Sequence, residues 1–209
     1  MKVINYKQGS EEWLNFRKDK ISGTKFSRVL SVKKETRLGL IYELVANKYS
    51  TYVKDSFVSN EMSRGTDEEK FAAKHYEDVF DTKLEVVDIC QHNKYDWLIF
   101  SPDRFADDRK KYVEFKCPSS PVMVEYTIDG IIPNEYKSQI LLSFIINEIQ
   151  EECDLVIYDE RFKESNHKMT VINVKRKELE EDITIAIIKL ELFRKEWEQI
   201  NEVYQNKIF

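Results

Sequence analysis

The sequence is poor in the residues that mark disordered, fibrous or disulfide-stapled proteins. Its 209 residues include only five glycines, four prolines and three cysteines, and 42% are hydrophobic. This composition excludes low-complexity and intrinsically disordered classes, which bury too little apolar surface to fold. The cysteines, Cys90, Cys117 and Cys153, are odd in number and widely spaced. Such spacing forms neither a disulfide framework nor a metal knuckle, so we expect reduced thiols in the core.

Long hydrophobic runs are also absent. No stretch approaches the roughly 18 uninterrupted apolar residues that a membrane span requires. The opening residues, MKVINYKQGSEEW, contain no apolar run before a small-residue cleavage site, so we expect no signal peptide, no membrane partner and a cytoplasmic location. A chain of this length can bury one core, and it contains no internal repeat or Gly/Ser linker, so we predict a single domain over 1–209.

Charge is distributed unevenly along the chain. The formal net charge is −5, which argues against a protein that coats nucleic acid through bulk charge alone. Residues 1–37 nevertheless carry ten Lys or Arg against four Asp or Glu, whereas the rest of the chain carries 23 against 34. A basic N-terminal part on an acidic body fits a local contact with an anion, with acids gathered elsewhere for a metal or for solubility. A solvated, Lys-rich helix face would give the same count, so charge alone leaves both interpretations open.

Hydrophobic periodicity predicts helices, then strands, then closing helices. Apolar residues at three- and four-residue steps predict helices after Ser10, from Ser22 or Thr24 to Leu30, over 38–53, from Thr66 to about Phe80, from Pro133 to about Glu148, and from Leu179 onward. Short β-branched and aromatic runs predict strands at 84–90, 97–101, 112–117, 154–159 and 169–174. The last helix carries one apolar stripe, which includes Ile183, Ile187, Leu190, Phe193 and Tyr204. The expected fold is α/β, with a mixed central sheet of about five strands, flanking α-helices and a long C-terminal helix.

Three ionisable residues in the predicted sheet form the candidate catalytic centre. Side chains alternate along the strand 112–117, so Glu114 and Lys116 project together from a face that we expect to be exposed, while the apolar set turns to the core. Asp103 follows the preceding strand and reaches the same face if the two strands pair through the turn at 106–111. Two converging carboxylates suit Mg²⁺, and a neighbouring lysine can orient or deprotonate a metal-bound water for phosphodiester hydrolysis.

An E-x-K triplet alone carries little weight, because acids and lysines alternate on any solvent-facing strand. The longer string is more informative: Pro102-Asp103, ten intervening residues and Glu114-Phe115-Lys116 match the PD-(D/E)xK nuclease signature. This signature is part of a set of five stretches that occur together in the order expected for one nuclease family. They are Gln8-Gly9-Ser10-x-x-Trp13 with Arg17, Ile21-Ser22-Gly23-Thr24, Arg64-Gly65-x-x-x-Glu69-x-x-Ala72, Ser101-Pro102-Asp103 with Val113-Glu114-Phe115-Lys116-Cys117-Pro118, and Tyr136-x-x-Gln139 leading to Tyr158-Asp159. Through them the chain resembles the lambda-exonuclease or YqaJ-type viral recombination nucleases of the PD-(D/E)xK superfamily, over about Gln8 to Asp159.

The resemblance implies a magnesium-dependent nuclease with two metal ions, for which Mn²⁺ can substitute. Carried over position by position, Asp103, Glu114 and the backbone carbonyl of Phe115 would hold one ion, and Glu69 would help to hold the second. Lys116 would activate the attacking water. The helical periodicity around Glu69 does not by itself distinguish it from Glu68, and Glu69 could equally close a capping box with Thr66.

The same resemblance implies a site for the end of a DNA strand. Arg17 and Thr24 match positions that bind the 5′ phosphate, and Gln139 would support the catalytic site from its helix. Taken singly, Thr24 could be an ordinary helix cap, Gln139 a surface amide, and Arg17 the partner of a surface acid. Two departures from the family pattern stand out: Arg104 follows Asp103 where relatives often have Gly, and Leu141 stands where many have a second Gln.

The expected function is a magnesium-dependent exonuclease that digests one strand of linear double-stranded DNA 5′ to 3′ and exposes a 3′ single strand for phage-type homologous recombination. The implied setting is a bacterial host's cytoplasm if the gene belongs to a phage, and the implied partners are DNA ends, a homotrimer ring and a single-strand annealing protein. Within 1–209 we expect a DNA-end-binding part at 1–60, a catalytic core at 61–175 and a C-terminal helix at 176–209. The alternatives are a restriction- or defence-type endonuclease or nickase, and a catalytically silent DNA-end-binding protein.

Overall fold

The computed structural model describes residues 1–51 and 60–207, with side chains from residue 68 onward in the second range. The α-helices in these residues are α1 (Glu11–Arg17), α2 (Gly23–Leu30), α3 (Lys34–Tyr49), α4 (Asn60–Phe80), α5 (Ser120–Asp129), α6 (Asn134–Ile146) and α7 (Glu180–Asn206). The strands are β1 (Lys2–Ile4), β2 (Ile89–Gln91), β3 (Ile99–Phe100), β4 (Arg104–Ala106), β5 (Lys111–Lys116), β6 (Glu152–Tyr158) and β7 (Met169–Lys175). The α/β class, the mixed sheet and the long C-terminal helix are as predicted.

Two sheets contain these strands. The larger has the order β4-β5-β6-β7, in which β5 and β6 run parallel and the outer pairs run antiparallel. The smaller sheet, β1-β2-β3, is antiparallel. The pairing of the strands at 97–101 and 112–117, the condition under which Asp103 was expected to reach the face of Glu114, does not occur, because β3 pairs with β2. The strand that pairs with β5 is the short β4, because the chain reverses immediately after it through Asp107, Asp108 and Arg109, all at positive φ.

Helices cover both faces of the larger sheet. Tyr112 of β5 and Leu155 of β6 lie in the main core with Phe26 of α2 and Ile140 of α6. On the opposite face, α4 packs against β5 in a smaller core made of Ala72, Ala73, Tyr76, Val113, Phe115, Val156 and Tyr158. Because both faces are covered, the expectation that Glu114 lies on an exposed face is wrong: its residue is only 5% accessible to solvent.

Helix boundaries follow local chemistry in several places. The Ser10 hydroxyl accepts a hydrogen bond from the Trp13 amide at 3.2 Å, which caps α1 as predicted. Ser22, not Thr24, is the cap position of α2. The predicted start of a helix at Thr66 is wrong, since α4 already includes Asn60, although its end at Phe80 is correct. The last residues of the predicted helix over 38–53 lie outside the described residues.

The C-terminal helix buries its predicted stripe only in part. Ile183, Leu190 and Phe193 are buried, whereas Ile187 and Tyr204 are 40% and 43% exposed. The stripe therefore contacts the core in both halves of α7, through the buried residues above and through the partly buried Trp197 and Ile200. Within the described chain no helix is long and apolar enough to cross a bilayer.

None of the three cysteines forms a disulfide, as expected. Cys90 and Cys153 are buried, and Cys117 is partly buried. Burial raises the pKa of the Cys90 thiol to about 12, so this group remains a neutral apolar side chain at physiological pH. The cysteines therefore contribute to packing and not to a crosslink.

Candidate active site

Asp103, Glu114, Lys116 and Glu69 lie together at one end of the larger sheet. Asp103 precedes β4, Glu114 and Lys116 are on β5, and Glu69 is on α4. Each of the three carboxylates interacts electrostatically with Lys116, and Asp103 interacts with both glutamates. Since 30 residues separate α4 from β5 in the sequence, only the packing of α4 on the sheet brings Glu69 to the strand residues.

Asp103 is fixed by the strand next to it. Its Oδ2 accepts a hydrogen bond from the Phe115 amide at 2.8 Å. Arg104 is paired with Val113 in the antiparallel register, so Asp103 stands opposite Glu114 and their side chains share a face. Burial raises the pKa of the Asp103 carboxyl, against the opposing attraction of Lys116. The folded chain thus holds a partly desolvated carboxylate beside a second one.

Glu114 and Lys116 form an ion pair within the same strand. The Lys116 ammonium donates to Glu114 Oε1 and also lies 5.1 Å from the centre of the Tyr136 ring. Burial and the neighbouring charge of Asp103 raise the pKa of Glu114 to about 7. Burial lowers the pKa of Lys116, but the charges of Glu114 and Asp103 outweigh it and the net shift is upward. Lys116 is therefore a charged donor at neutral pH in this arrangement.

Glu69 is paired with Arg104. An Arg104 Nη1 atom lies 3.0 Å from Glu69 Oε1 and donates a second hydrogen bond to the Asp103 carbonyl oxygen. Burial and the charge of Asp103 raise the pKa of Glu69. The sequence singled out Arg104 as a departure from the family pattern that could bring a second cation into the site. Its contact with Glu69 places Arg104 within the candidate site.

The donor set fits a hard divalent cation at Asp103 and Glu114. Both are oxygen ligands of the type Mg²⁺ prefers, and their raised pKa values express the cost of two desolvated carboxylates without such an ion. Among the side chains of residues 1–51 and 68–207, no three acidic, His or Cys groups lie closely enough to form a ligand cage by themselves. An ion held mainly by two carboxylates, a carbonyl and water matches the coordination habit of Mg²⁺.

A small pocket adjoins Glu114. It has a volume of about 70 Å³, and its polar lining comes from Arg17, Thr24, Ser101, Glu114 and Gln139. Three elements that are remote in sequence converge there: the end of α1, the start of α2 and the middle of α6. The pocket joins the predicted phosphate-binding residues to a predicted metal ligand.

Arg17 is held in place before any ligand binds. Its Nη1 donates to the Ser101 hydroxyl at 2.6 Å, and its guanidinium lies 4.1 Å from the centre of the Trp13 ring. Burial lowers the pKa of Arg17 to about 10, so the side chain remains a cation at neutral pH. Ser101 and Trp13 belong to the quoted motifs, but sequence reasoning assigned them no role. The structure shows that they orient the guanidinium.

Gln139 points its carbonyl oxygen into a buried space. Its Oε1 is buried and has no hydrogen-bond partner among the described residues. The side chain lies over Gly23, where an added Cβ would come within 3.5 Å of Gln139 Cγ. An unpaired buried acceptor is costly, and such groups are commonly satisfied by a ligand or water. Leu141, the second departure, is buried in the core and does not line this pocket.

Comparisons with known proteins show the family and the fold of this chain. A family model described as the YqaJ-like viral recombinase domain matches residues 12–150, a range that contains all the candidate site residues. The structure of an alkaline exonuclease (LHK-Exo) from Laribacter hongkongensis is similar with a TM-score of 0.78 and 22% identity, covering 95% of this chain and 100% of that one. LHK-Exo in complex with dAMP gives the same values. A phage-related exonuclease from Haemophilus somnus 129PT is similar with a TM-score of 0.61 and 12% identity, covering 88% and 96%. No curated protein matches significantly.

Proposed function

Because the chain belongs to the family of the YqaJ-like viral recombinase domain, as its motifs predicted, we propose that it is a magnesium-dependent exonuclease that digests one strand of duplex DNA from the 5′ end. The fold is shared with an alkaline exonuclease and a phage-related exonuclease, and the dAMP complex of the former supports a DNA substrate. The product would be a 3′ single strand suited to phage-type recombination.

One observation carries the proposed polarity: the pocket of Arg17, Thr24 and Gln139 opens beside Glu114. A guanidinium fixed by Ser101 and Trp13 recognises phosphate well because its donors are already oriented. An enzyme that cuts inside a duplex has no use for a terminal-phosphate pocket at this place. The neighbouring carboxylates would then act on the phosphodiester that follows the terminal nucleotide.

In the proposed reaction a water oxygen bonds to the phosphorus of that phosphodiester, and the bond from phosphorus to the 3′ oxygen breaks. A divalent cation held by Asp103, Glu114 and the Phe115 carbonyl supplies Lewis-acid stabilisation of the charge that develops. Lys116, as a charged donor, orients the attacking water and balances charge on the phosphate. Arg17 holds the 5′ phosphate. The water gives up one proton to the solvent as its oxygen bonds to phosphorus, and the 3′ oxygen takes up one proton and leaves as a hydroxyl. The shortened strand again carries a 5′ phosphate.

The experiment that tests this function uses linear duplex DNA labelled at one 5′ or one 3′ end, with a closed circular duplex as the control. We expect loss of label from the 5′ end with Mg²⁺, none with EDTA, and no cutting of the circle. Cleavage of the circle would instead favour an endonuclease, and binding of ends without any cleavage would favour a scaffold.

Mg²⁺ should raise the melting temperature of the metal-free protein. A cation bound to the folded state relieves the repulsion between Asp103 and Glu114, and at about 100 times its Kd it adds about 2.7 kcal/mol. For a chain of this size this corresponds to a shift of about 5–10 °C. Thermal unfolding with MgCl₂, compared with NaCl of equal ionic strength, measures the effect. The same shift in a Glu114→Gln variant would show that the stabilising ion binds elsewhere.

Arg17→Ala should impair digestion of ends with a 5′ phosphate more than digestion of ends with a 5′ hydroxyl. Charge-assisted hydrogen bonds contribute roughly 1.5–3 kcal/mol, so we expect kcat/KM on phosphorylated ends to fall by about 10- to 150-fold. Arg28→Ala is the matched control, since Arg28 is a nearby, partly exposed arginine whose partner is Glu43 and not the pocket. An equal loss on both kinds of end would mean that Arg17 is structural or a general backbone contact.

A further inference from the structure

Arg104 is the one arginine that contacts the candidate catalytic carboxylates in the described chain. It is the first residue of β4 and is paired with Val113. Its side chain therefore projects from the face of the sheet on which α4 packs, opposite to the face of Asp103. There Nη1 of its guanidinium lies 3.0 Å from Glu69 Oε1. Both side chains are mostly buried, at 19% and 27% exposure, so the pair is shielded from solvent more than an ordinary surface salt bridge.

Two contacts fix the guanidinium. Besides Glu69, it donates to the backbone carbonyl oxygen of Asp103, which belongs to the residue that leads into β4. An arginine remains charged under all physiological conditions, and its planar donors suit a carboxylate. Displacement of Arg104 from Glu69 by a metal ion would therefore leave an unpaired cation in a partly desolvated place.

The charge balance of the site favours a single divalent ion. Asp103, Glu114 and Glu69 carry three negative charges when ionised, and Lys116 and Arg104 already supply two positive ones. The net formal charge is therefore about −1, and one divalent ion raises it to about +1. A second ion would raise it to about +3. Apart from Asp103, each carboxylate is already paired with a cation of the chain, Glu69 with Arg104 and Glu114 with Lys116.

We propose that Arg104 takes the place of the second metal ion, so that this site binds one divalent cation, at Asp103 and Glu114, while Glu69 serves to hold the guanidinium. This inference rests on the proposed function for the existence of the first ion. It replaces the two-ion arrangement that the family resemblance implies. In the reaction, Arg104 supplies a fixed positive charge at the place where the family resemblance implies a second, exchangeable metal ion.

The test is isothermal titration of the metal-stripped full chain with Mn²⁺ as the probe, at a concentration well above Kd. We expect one ion in the wild type, two in Arg104→Ala, and one again in the double variant Arg104→Ala with Glu69→Gln. The matched control is Arg109→Ala, which removes an arginine from the turn after the same strand, where it pairs with the half-exposed Glu85. This control should bind one ion.

Two results would overturn the inference. Binding of two ions by the wild type would show that a metal ion displaces Arg104. Binding of a single ion by a folded Arg104→Ala variant would show that Glu69 does not bind a metal ion when Arg104 is removed. If Arg104→Ala does not fold, Glu69→Gln alone decides, because the inference requires it to keep one ion at unchanged affinity. Absence of any ion in the wild type, together with an inactive protein, would instead mean that the proposed function has failed.

Discussion

Asp103→Asn should abolish metal-dependent cleavage while leaving the protein folded. The substitution removes a charged oxygen ligand but keeps the shape of the side chain, and an amide oxygen can still accept the hydrogen bond from Phe115. Loss of a residue that only supports a metal ligand costs about 10- to 100-fold, so loss of the ligand itself should exceed roughly 100-fold. Initial rates on 5′-phosphorylated linear duplex at saturating Mg²⁺ measure the effect.

The same variant should be at least as stable as the wild type without metal. Burial raises the pKa of Asp103, which means that its ionised form destabilises the folded state at neutral pH. A neutral amide avoids that cost and the repulsion from Glu114. Thermal unfolding in EDTA therefore should give an equal or higher melting temperature, together with a smaller response to Mg²⁺.

Asp107→Asn is the matched control for both measurements. Asp107 is at the other end of β4, its side chain is 61% exposed, and it has a left-handed backbone conformation that asparagine tolerates. This control should retain wild-type rate and stability. Wild-type cleavage by Asp103→Asn, with Asp107→Asn unchanged, would remove Asp103 from the proposed metal site.

Lys116→Met should reduce cleavage about as severely, with the opposite consequence for the metal. A positioned proton donor or acceptor contributes roughly 10²- to 10⁴-fold to catalysis, so the rate should fall by that factor. Methionine preserves much of the packing against Tyr136 but leaves Glu114 without the cation it is paired with. Divalent ions should then bind Glu114 at least as tightly as in the wild type.

The control for this prediction is Lys110→Met, which changes a 56% exposed lysine beside the start of β5 whose partner is Glu151. Rates and Mn²⁺ affinities of the two variants should be compared under the same conditions. Weaker metal binding in Lys116→Met would mean that Lys116 organises the site rather than competing for Glu114, and near-normal cleavage would end its proposed role in catalysis.

Local patterns predicted the elements that carry the site. Alternation along β5 placed Glu114 and Lys116 on one face, and their spacing from Asp103 matched a nuclease signature. Capping chemistry at Ser10 predicted the start of α1 correctly. These predictions are correct because side-chain direction and helix capping depend on residues only a few positions apart.

The same patterns failed where partners are distant in sequence. Periodicity could not choose Glu69 over Glu68 or show that helices cover the Glu114 face, since both depend on how α4 and the helices of the main core pack on the sheet. It also left open which strand pairs with β5, because a short left-handed turn at Asp107, Asp108 and Arg109 decides that pairing. Position of a side chain relative to another element is a tertiary property.

By itself the sequence determined the family, the fold class and the set of candidate residues, since these follow from residue types at fixed spacings. Only the tertiary structure decided which of them meet and in what electrostatic state. The contacts of Arg17 with Ser101, of Gln139 with Gly23 and of Arg104 with Glu69 each join remote segments. Burial at these contacts sets how strongly the polar and charged groups interact with their neighbours, and burial exists only once the chain has folded.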